Sequence, residues 1–293
     1  MEYVHYSVMA EEVLHYLVPP ADQQAILVDC TCGEGGHTHR FLSTYPDLSV
    51  IGLDRDASIL EKAKRRMEAF DGRFTPFKVT FDAFFKDTGQ QLYDLILFDL
   101  GISSYHYEES GRGFSFRKEE VLDMRLDTTD PISAMDVVNG YQEQRLADLI
   151  YTYGEERYSR RIARAIVEAR KLTKIKESDQ LAQIIYKAVP PAYRYGHLHP
   201  ATKTFQAIRI EVNGELDRIE VALGGAIKAL KRGGRIGVIS FHSLEDRIVK
   251  WFFKAQDPAL ITILTKKPII PSDEERAENP ASRSAKLRVI EKL

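Results

Sequence analysis

The sequence predicts an α/β protein: a parallel, doubly wound sheet interrupted by a helical insertion. Three apolar runs each close on an acid, Ala25–Asp29, Leu48–Asp54 and Tyr93–Asp99, with amphipathic stretches between them. That is the rhythm of strands alternating with helices. From about Glu109 to Thr202 the rhythm gives way to helical patterns without a convincing strand, and afterwards it returns.

Taken in order, Ala25–Asp29 is the first strand, followed by a glycine-rich turn, Gly33-Glu34-Gly35-Gly36, and a helix over Thr38–Tyr45. Leu48–Asp54 is the second strand, Ser58–Phe70 an amphipathic helix, Phe77–Phe81 a third strand and Tyr93–Asp99 a fourth. The interruption carries helical periodicity over Tyr141–Gly154, Ser159–Lys171 and Ser178–Ala188. Phe205–Leu230 is one long helical region that Gly214, Gly224 and Gly225 are placed to break, and Gly233-Gly234 turns into the strand Arg235–Ser240. Pro19-Pro20 and Pro190-Pro191 mark turns. These patterns place a core in residues 1–108 and 203–293, and a helical insertion in 109–202.

Composition narrows the class. Of 293 residues, 44% are hydrophobic and 29% charged, the balance of an ordinary globular chain. No apolar run approaches the roughly 20 residues that span a bilayer, and the acidic N-terminus lacks a signal-peptide pattern, so a cytoplasmic protein is expected. Cys30 and Cys32 are one residue apart, too close for an unstrained disulfide and too few for zinc. They read as small buried thiols, and no metal is expected. The net charge of −2 means that any nucleic acid must be held by local basic patches.

In doubly wound sheets the ligand lies beyond the carboxyl ends of the strands, where Asp29, Asp54 and Asp99 fall. Gly33, Gly35 and Gly36 allow close backbone approach. Their spacing departs from the dinucleotide fingerprint and lacks a P-loop ending; a tight ligand-free turn is an equal reading. Asp54 follows the glycines by about 20 residues, where an acid commonly bonds a ribose. It is also placed to cap the next helix, although Asp56 is the better cap. Together these residues favour a nucleoside-containing cofactor without separating S-adenosylmethionine from NAD.

At Phe98-Asp99-Leu100-Gly101-Ile102-Ser103-Ser104 the chain resembles the ribosomal RNA small subunit methyltransferase H family. The resemblance continues through Arg112–Phe116, Leu122–Arg125, His5–Met9, Gly154–Arg157, Thr204–Arg209, Ser240–Arg247 and Arg283–Arg288, and covers nearly the whole chain. It implies a Rossmann-like S-adenosylmethionine-dependent methyltransferase core with an inserted helical domain that recognises RNA. It also implies N4-methylation of a cytosine in bacterial 16S rRNA near the decoding centre, with 16S rRNA or the small ribosomal subunit as partner. Gly35, Gly36 and His37 are then the cofactor loop, Asp54 the ribose acid, Phe81 the adenine neighbour and Asp99 the acid beside methyl transfer. Similar proteins often carry Gln where this chain has Tyr105-His106; either His106 replaces that contact or the contact is missing.

Asp99 is suited to hold an amine and to stabilise charge developing on it. A cap of the strand end is the plain alternative. His242 has the right intrinsic pKa for the departing proton and Phe241 the right face to stack on the base; a satisfied loop histidine and a core phenylalanine are equally good readings. Glu245-Asp246-Arg247 reads as a helix start. Residues 141–202 hold eleven Lys/Arg against seven Asp/Glu. Arg157, Arg160, Arg161 and Arg164 share a face at helical spacing, and Arg283, Lys286 and Arg288 form a second patch. For any single one of these residues, a solvated cation is the better reading. The rival functions are a nicotinamide-dependent oxidoreductase, against which the glycine spacing argues, and a non-catalytic RNA-binding protein, against which Asp99 argues. Monomer and homodimer both stay open.

Overall fold

The computed structural model describes residues 7–21, 23–70, 72–86 and 91–293. His5 and Tyr6 of the quoted motif lie outside them. The chain divides into two compact units: the described residues up to Ile102 with Leu216–Leu293, and Ser103–Glu215.

The first unit is built on seven strands, β1 (Ala25–Asp29), β2 (Leu48–Asp54), β3 (Phe74–Lys78), β4 (Tyr93–Asp99), β5 (Leu230–Ser240), β6 (Ile261–Ile263) and β7 (Lys286–Lys292). They form one sheet in the order β3-β2-β1-β4-β5-β7-β6. The β3-to-β5 strands pair in parallel, and β7 is antiparallel to both β5 and β6. This is a Rossmann-like arrangement whose order reverses between β1 and β4, and such a reversal opens a crevice at the carboxyl ends of those strands. The α-helices of this unit are α1 (Ala10–Tyr16), α2 (Gly36–Thr44), α3 (Ala57–Arg66) and α4 (Phe81–Lys86), and, after the second unit, three more introduced below.

Strand side chains alternate between two apolar layers, as the period of two requires. Val28, Ile96, Phe98, Ile236 and Val238 share one layer with Phe85, Leu223 and Phe253. Leu27, Val50, Leu95, Leu97 and Ile239 share the other with Val13, Phe41 and Leu287. Both faces of the sheet are thus covered, which is why the strands read as near-continuous apolar runs. Cys30 and Cys32 are buried with free thiols.

The second unit holds α5 (Ser104–Glu108), α6 (Ala134–Gly140), α7 (Glu143–Gly154), α8 (Ser159–Leu172), α9 (Ser178–Ala188), α10 (Pro191–Arg194) and α11 (Ala201–Asn213). Leu146, Ile150, Ile162, Ile166, Leu181, Ile185 and Ile208 are buried in it, one apolar stripe per helix. A capping box between Ser133 and Asp136 starts α6. The chain returns to the sheet through α12 (Glu215–Ala229), α13 (Ser243–Ala255) follows β5, and α14 (Asp273–Glu278) precedes β7.

Several boundaries differ from the sequence reading. The units divide at Ser103 and Glu215 rather than at 109 and 202. The reason is that Asn213 ties α11 to the loop before α6, donating to Met124 O at 2.9 Å and accepting from Leu126 N at 2.9 Å. The expected long helix breaks at Gly214, which ends α11 at φ 57, a left-handed residue that favours glycine. The third strand starts three residues earlier than expected, and Phe81 opens α4 instead. Its pattern is weak because β3 is an edge strand, half exposed and tolerant of Pro76. Gly233 stands at φ 75, and the β4–β5 register slips between Tyr93 and Leu95. Among the described residues, no helix is long and apolar enough to cross a membrane.

Gly224 and Gly225 lie inside α12 and separate two roles. A Cβ on Gly225 would stand 2.6 Å from Phe85 Cβ and 3.2 Å from Phe85 O, whereas one on Gly224 would meet only the Phe252 ring at 3.9 Å. Gly225→Ala is therefore expected to destabilise by about 1–3 kcal/mol through overpacking. Gly224→Ala should be neutral or stabilise by up to about 1 kcal/mol through helix propensity. Urea denaturation of both variants checks the contrast.

Candidate active site

The site is set out by register. Asp29 lies opposite Gly52 of β2 and opposite Leu97 of β4, so Asp54 and Asp99 each stand two residues further along, on the strands flanking β1. The turn after β1 reaches both. Thr31 Oγ1 accepts from the Asp99 amide at 2.7 Å, and Gly33 N–H donates to Asp54 Oδ2 at 3.0 Å. Asp54 Oδ1 accepts from the Asp56 amide at 2.9 Å. Asp56, as expected, caps α3 by accepting from Ser58 N at 2.9 Å. Asp54 is thus fixed by backbone donors from the turn and from the start of α3.

Asp29 is buried and accepts from Thr38 Oγ1 at 2.7 Å. Burial raises its pKa, against the opposing pull of His37 and these hydrogen bonds. His37, in the first turn of α2, places Nε2 3.6 Å from Asp99 Oδ2, an ion-pair distance rather than a hydrogen bond. Burial disfavours its imidazolium, but Asp99, Asp29 and Glu275 outweigh burial and its pKa is raised. Glu275 is held in turn by the Met9 amide at 2.7 Å. Asp99 Oδ1 is buried and has no hydrogen-bond partner among the described residues. A buried carboxylate oxygen without a donor is costly, and a ligand N–H is the kind of group that would satisfy it.

The glycines have structural reasons of their own. Gly33 and Gly35 are left-handed, at φ 53 and φ 76, and a Cβ on Gly35 would stand 2.9 Å from Met67 Cε. A Cβ on Gly36 would run into Ser7 Oγ. The ligand-free explanation therefore accounts for part of the glycine pattern. The turn leads straight into α2, whose first amides lack partners in their own helix.

Phe81 is half-buried, with its ring nearly perpendicular to that of Phe98 at 5.6 Å between centroids. Phe241 lies over Gly101, where a Cβ would stand 2.7 Å from the ring. His242 is the N-cap of α13: its Nδ1 accepts from Glu245 N at 3.4 Å, and Nε2 lies 3.1 Å from Glu245 Oε1. Glu245 completes the box by accepting from His242 N at 3.3 Å, and it also accepts from Phe241 N at 2.8 Å. Nδ1 is thus occupied by the cap, whereas Nε2, close to Glu245 Oε1, is buried and makes no hydrogen bond among the described residues.

The basic residues separate. Arg288 is buried and its Nε donates to Asp246 Oδ1 at 2.7 Å. It is a core ion pair, and the expectation that it meets substrate is corrected. Arg283 is exposed. In the second unit, Arg157 precedes α8 and does not share its helical face; its guanidinium lies 4.8 Å from the Tyr158 ring and 5.1 Å from that of Tyr193. Arg160, Arg161 and Arg164 are exposed on α8, with Arg164 Nε 3.6 Å from Glu143. His106, in α5, is buried, 5.2 Å from the Phe114 ring between centroids.

Comparison with known proteins decides the family. Residues 2–293 match the model of the MraW methylase family. The chain belongs to the MraW methylase family. It is similar, at 50% identity over 100% of this chain and 98% of the relative, to the ribosomal RNA small subunit methyltransferase H of Treponema denticola. It is also 50% identical to the protein of that name from Sulfurihydrogenibium sp. (strain YO3AOP1), over 97% of this chain and 98% of the relative. A third, from Synechococcus elongatus, is 46% identical over 99% of this chain and 95% of the relative. The chain is accordingly a methyltransferase.

Sequence reasoning placed Asp29 at the ligand edge but gave it no role, and it missed Thr31 and Thr38. Their signal was local: an acid closing β1, as in β2 and β4, followed by hydroxyls within the turn and the next helix. The pair His37–Asp99 gives a pH prediction. Because the folded-state pKa of His37 is raised, its stabilising contribution is full below the unfolded value of about 6.5 and is lost as pH rises through the folded value. His37→Asn should remove that loss. Urea midpoints of the wild type, relative to the variant, should fall with rising pH in this window, by at most about 1.4 kcal/mol per pH unit.

Proposed function

We propose that this methyltransferase transfers a methyl group from S-adenosylmethionine to the exocyclic N4 of a cytosine in bacterial 16S rRNA, near the decoding centre. The observation that carries the reading is Asp99: a carboxylate at the β4 tip with one oxygen toward His37 and the other buried without a donor. The substrate class follows from the relatives named as small-subunit rRNA methyltransferases. The cytosine N4 and the decoding centre come from the resemblance carried by the Phe98–Ser104 motif and its companions.

S-adenosylmethionine, when bound, supplies an electrophilic methyl on a sulfonium. Gly33, Gly35, Gly36 and His37 form its loop, Asp54 bonds the ribose hydroxyls and Phe81 lies against adenine. Asp99 accepts one N–H of the cytosine amine. That hydrogen bond draws the lone pair out of conjugation with the ring and stabilises the positive charge that develops on nitrogen. With the cofactor bound, the N4 lone pair would form the new N–C bond while the C–S bonding pair stayed on sulfur, and Asp99 would take the proton that the nitrogen sheds. His37 orients the carboxylate through Oδ2. Phe241, packed on Gly101, offers a ring face to the extruded base.

The second unit is the RNA-recognising part in this reading, with Arg157, Arg160 and Arg164 supplying phosphate contacts and Arg283 adding one from the first unit. The place of action is the cytoplasm.

Asp99→Ala should abolish methyl transfer to small subunits while S-adenosylhomocysteine affinity stays within about tenfold, or 1.4 kcal/mol. Labelled-methyl incorporation and calorimetry measure the two, and wild-type transfer by the variant would refute the role. Charge reversal at Arg160 and Arg164 should weaken rRNA binding and flatten its salt dependence. An unchanged slope in filter binding would remove those residues from the contact.

A further inference from the structure

Helix α13 leaves the active-site edge directly after Phe241 and His242, and its outer face carries one residue type that does not belong on a plain solvated surface. Trp251 is 59% exposed. Single exposed apolar residues are ordinary, but two ammonium groups lie near this ring: Lys250 Nζ is 5.4 Å and Lys254 Nζ 5.3 Å from its centroid. Arg247 precedes it by one helical turn and is exposed. Residues 247, 250, 251 and 254 follow the three-and-four spacing of a single helical face.

The acids of the same helix are engaged elsewhere. Glu245 is buried and closes the N-terminal box on Phe241 and His242. Asp246 is engaged by Lys286 Nζ at 3.3 Å and Arg288 Nε at 2.7 Å. What the outer face presents is therefore cationic, on a chain whose net charge is −2. From Arg247 to Lys254 the stripe runs about 10 Å at 1.5 Å per residue, roughly the rise of three nucleotides of one strand.

We propose that this face of α13 is a second RNA-docking surface, in which Lys250 and Lys254 take backbone phosphates and Trp251 stacks on an unpaired base. Cation plus aromatic face is the combination by which proteins hold single-stranded RNA without reading its sequence. The surface starts where Phe241 sits, so it binds the strand leading from the extruded nucleotide. The proposal rests on the reading of this protein as an rRNA methyltransferase, and it adds a contact on the sheet-bearing unit to those of the helical unit.

Trp251 is the chain's single tryptophan, so its emission reports on this surface alone. The full-length protein is titrated with protein-free 16S rRNA and with small ribosomal subunits, and binding is followed in parallel by filter retention and methyl transfer. Saturable quenching that tracks binding is expected. The double variant Lys250→Glu/Lys254→Glu should bind about tenfold more weakly, with a salt slope shallower by about one to two, and Trp251→Ala should weaken binding with the wild-type slope kept. Circular dichroism and S-adenosylhomocysteine affinity control for folding. Binding and methylation with unchanged emission and an unchanged salt slope in the double variant would overturn the docking surface and leave the methyl-transfer reading standing. Quenching by subunits with no loss of slope in the double variant would assign Trp251 to a ribosomal protein and overturn the RNA assignment. Absence of RNA binding by either measure would overturn both readings.

Discussion

The site depends on one turn. Thr31 and Gly33, two residues apart in the turn after β1, hydrogen-bond to Asp99 and Asp54 on the two neighbouring strands. Parallel pairing places those acids at the same level of the sheet, and the turn links them into a single piece. In the proposed reading, the cofactor at Asp54 and the reacting amine at Asp99 would thereby be related through short segments of chain. Precise relative placement is what methyl transfer needs from a protein, because the reactivity belongs to the cofactor.

Three carboxylates on one sheet edge repel each other, and the structure answers each differently. Asp54 receives backbone amides. Asp29 is buried against the Thr38 hydroxyl. Asp99 shares the field of His37, whose imidazolium is favoured by both Asp29 and Asp99 despite burial. The one acceptor this scheme leaves without a donor among the described residues, Asp99 Oδ1, is also the one the chemistry calls for. The glycines enter as spacers: Gly35 and Gly36 let α2 start under Met67 and Ser7, which sets His37 where it meets Asp99.

Much of this was legible in the sequence. The three acid-terminated runs became β1, β2 and β4, buried on both faces, because parallel strands need continuous apolar stretches. Asp56 capped α3 as its position demanded, and the helices over Ser159–Leu172 and Ser178–Ala188 followed their apolar stripes. What periodicity could not show were long-range ties. Asn213 moves α11 into the second unit by bonding residues some ninety positions earlier. Arg288 looks like a surface cation until β7 places it beside Asp246, and nothing in the periodicity shows that the His242 side chain caps α13. The weak pattern of β3 reflects an edge strand with only one paired side.

The same locality explains why the Trp251 face escapes a reading of motifs. It follows the Ser240–Arg247 motif and belongs to no chemical signature; only the engagement of Glu245 and Asp246 elsewhere leaves its cations dominant. The most direct test of the account as a whole is a crystal structure with S-adenosylhomocysteine and cytidine bound. The ribose hydroxyls should lie on Asp54 and the cytosine amine on Asp99 Oδ1, with the turn at Thr31–Gly33 between them. A cofactor whose ribose is held away from Asp54, or a cytosine amine that does not reach Asp99, would contradict it.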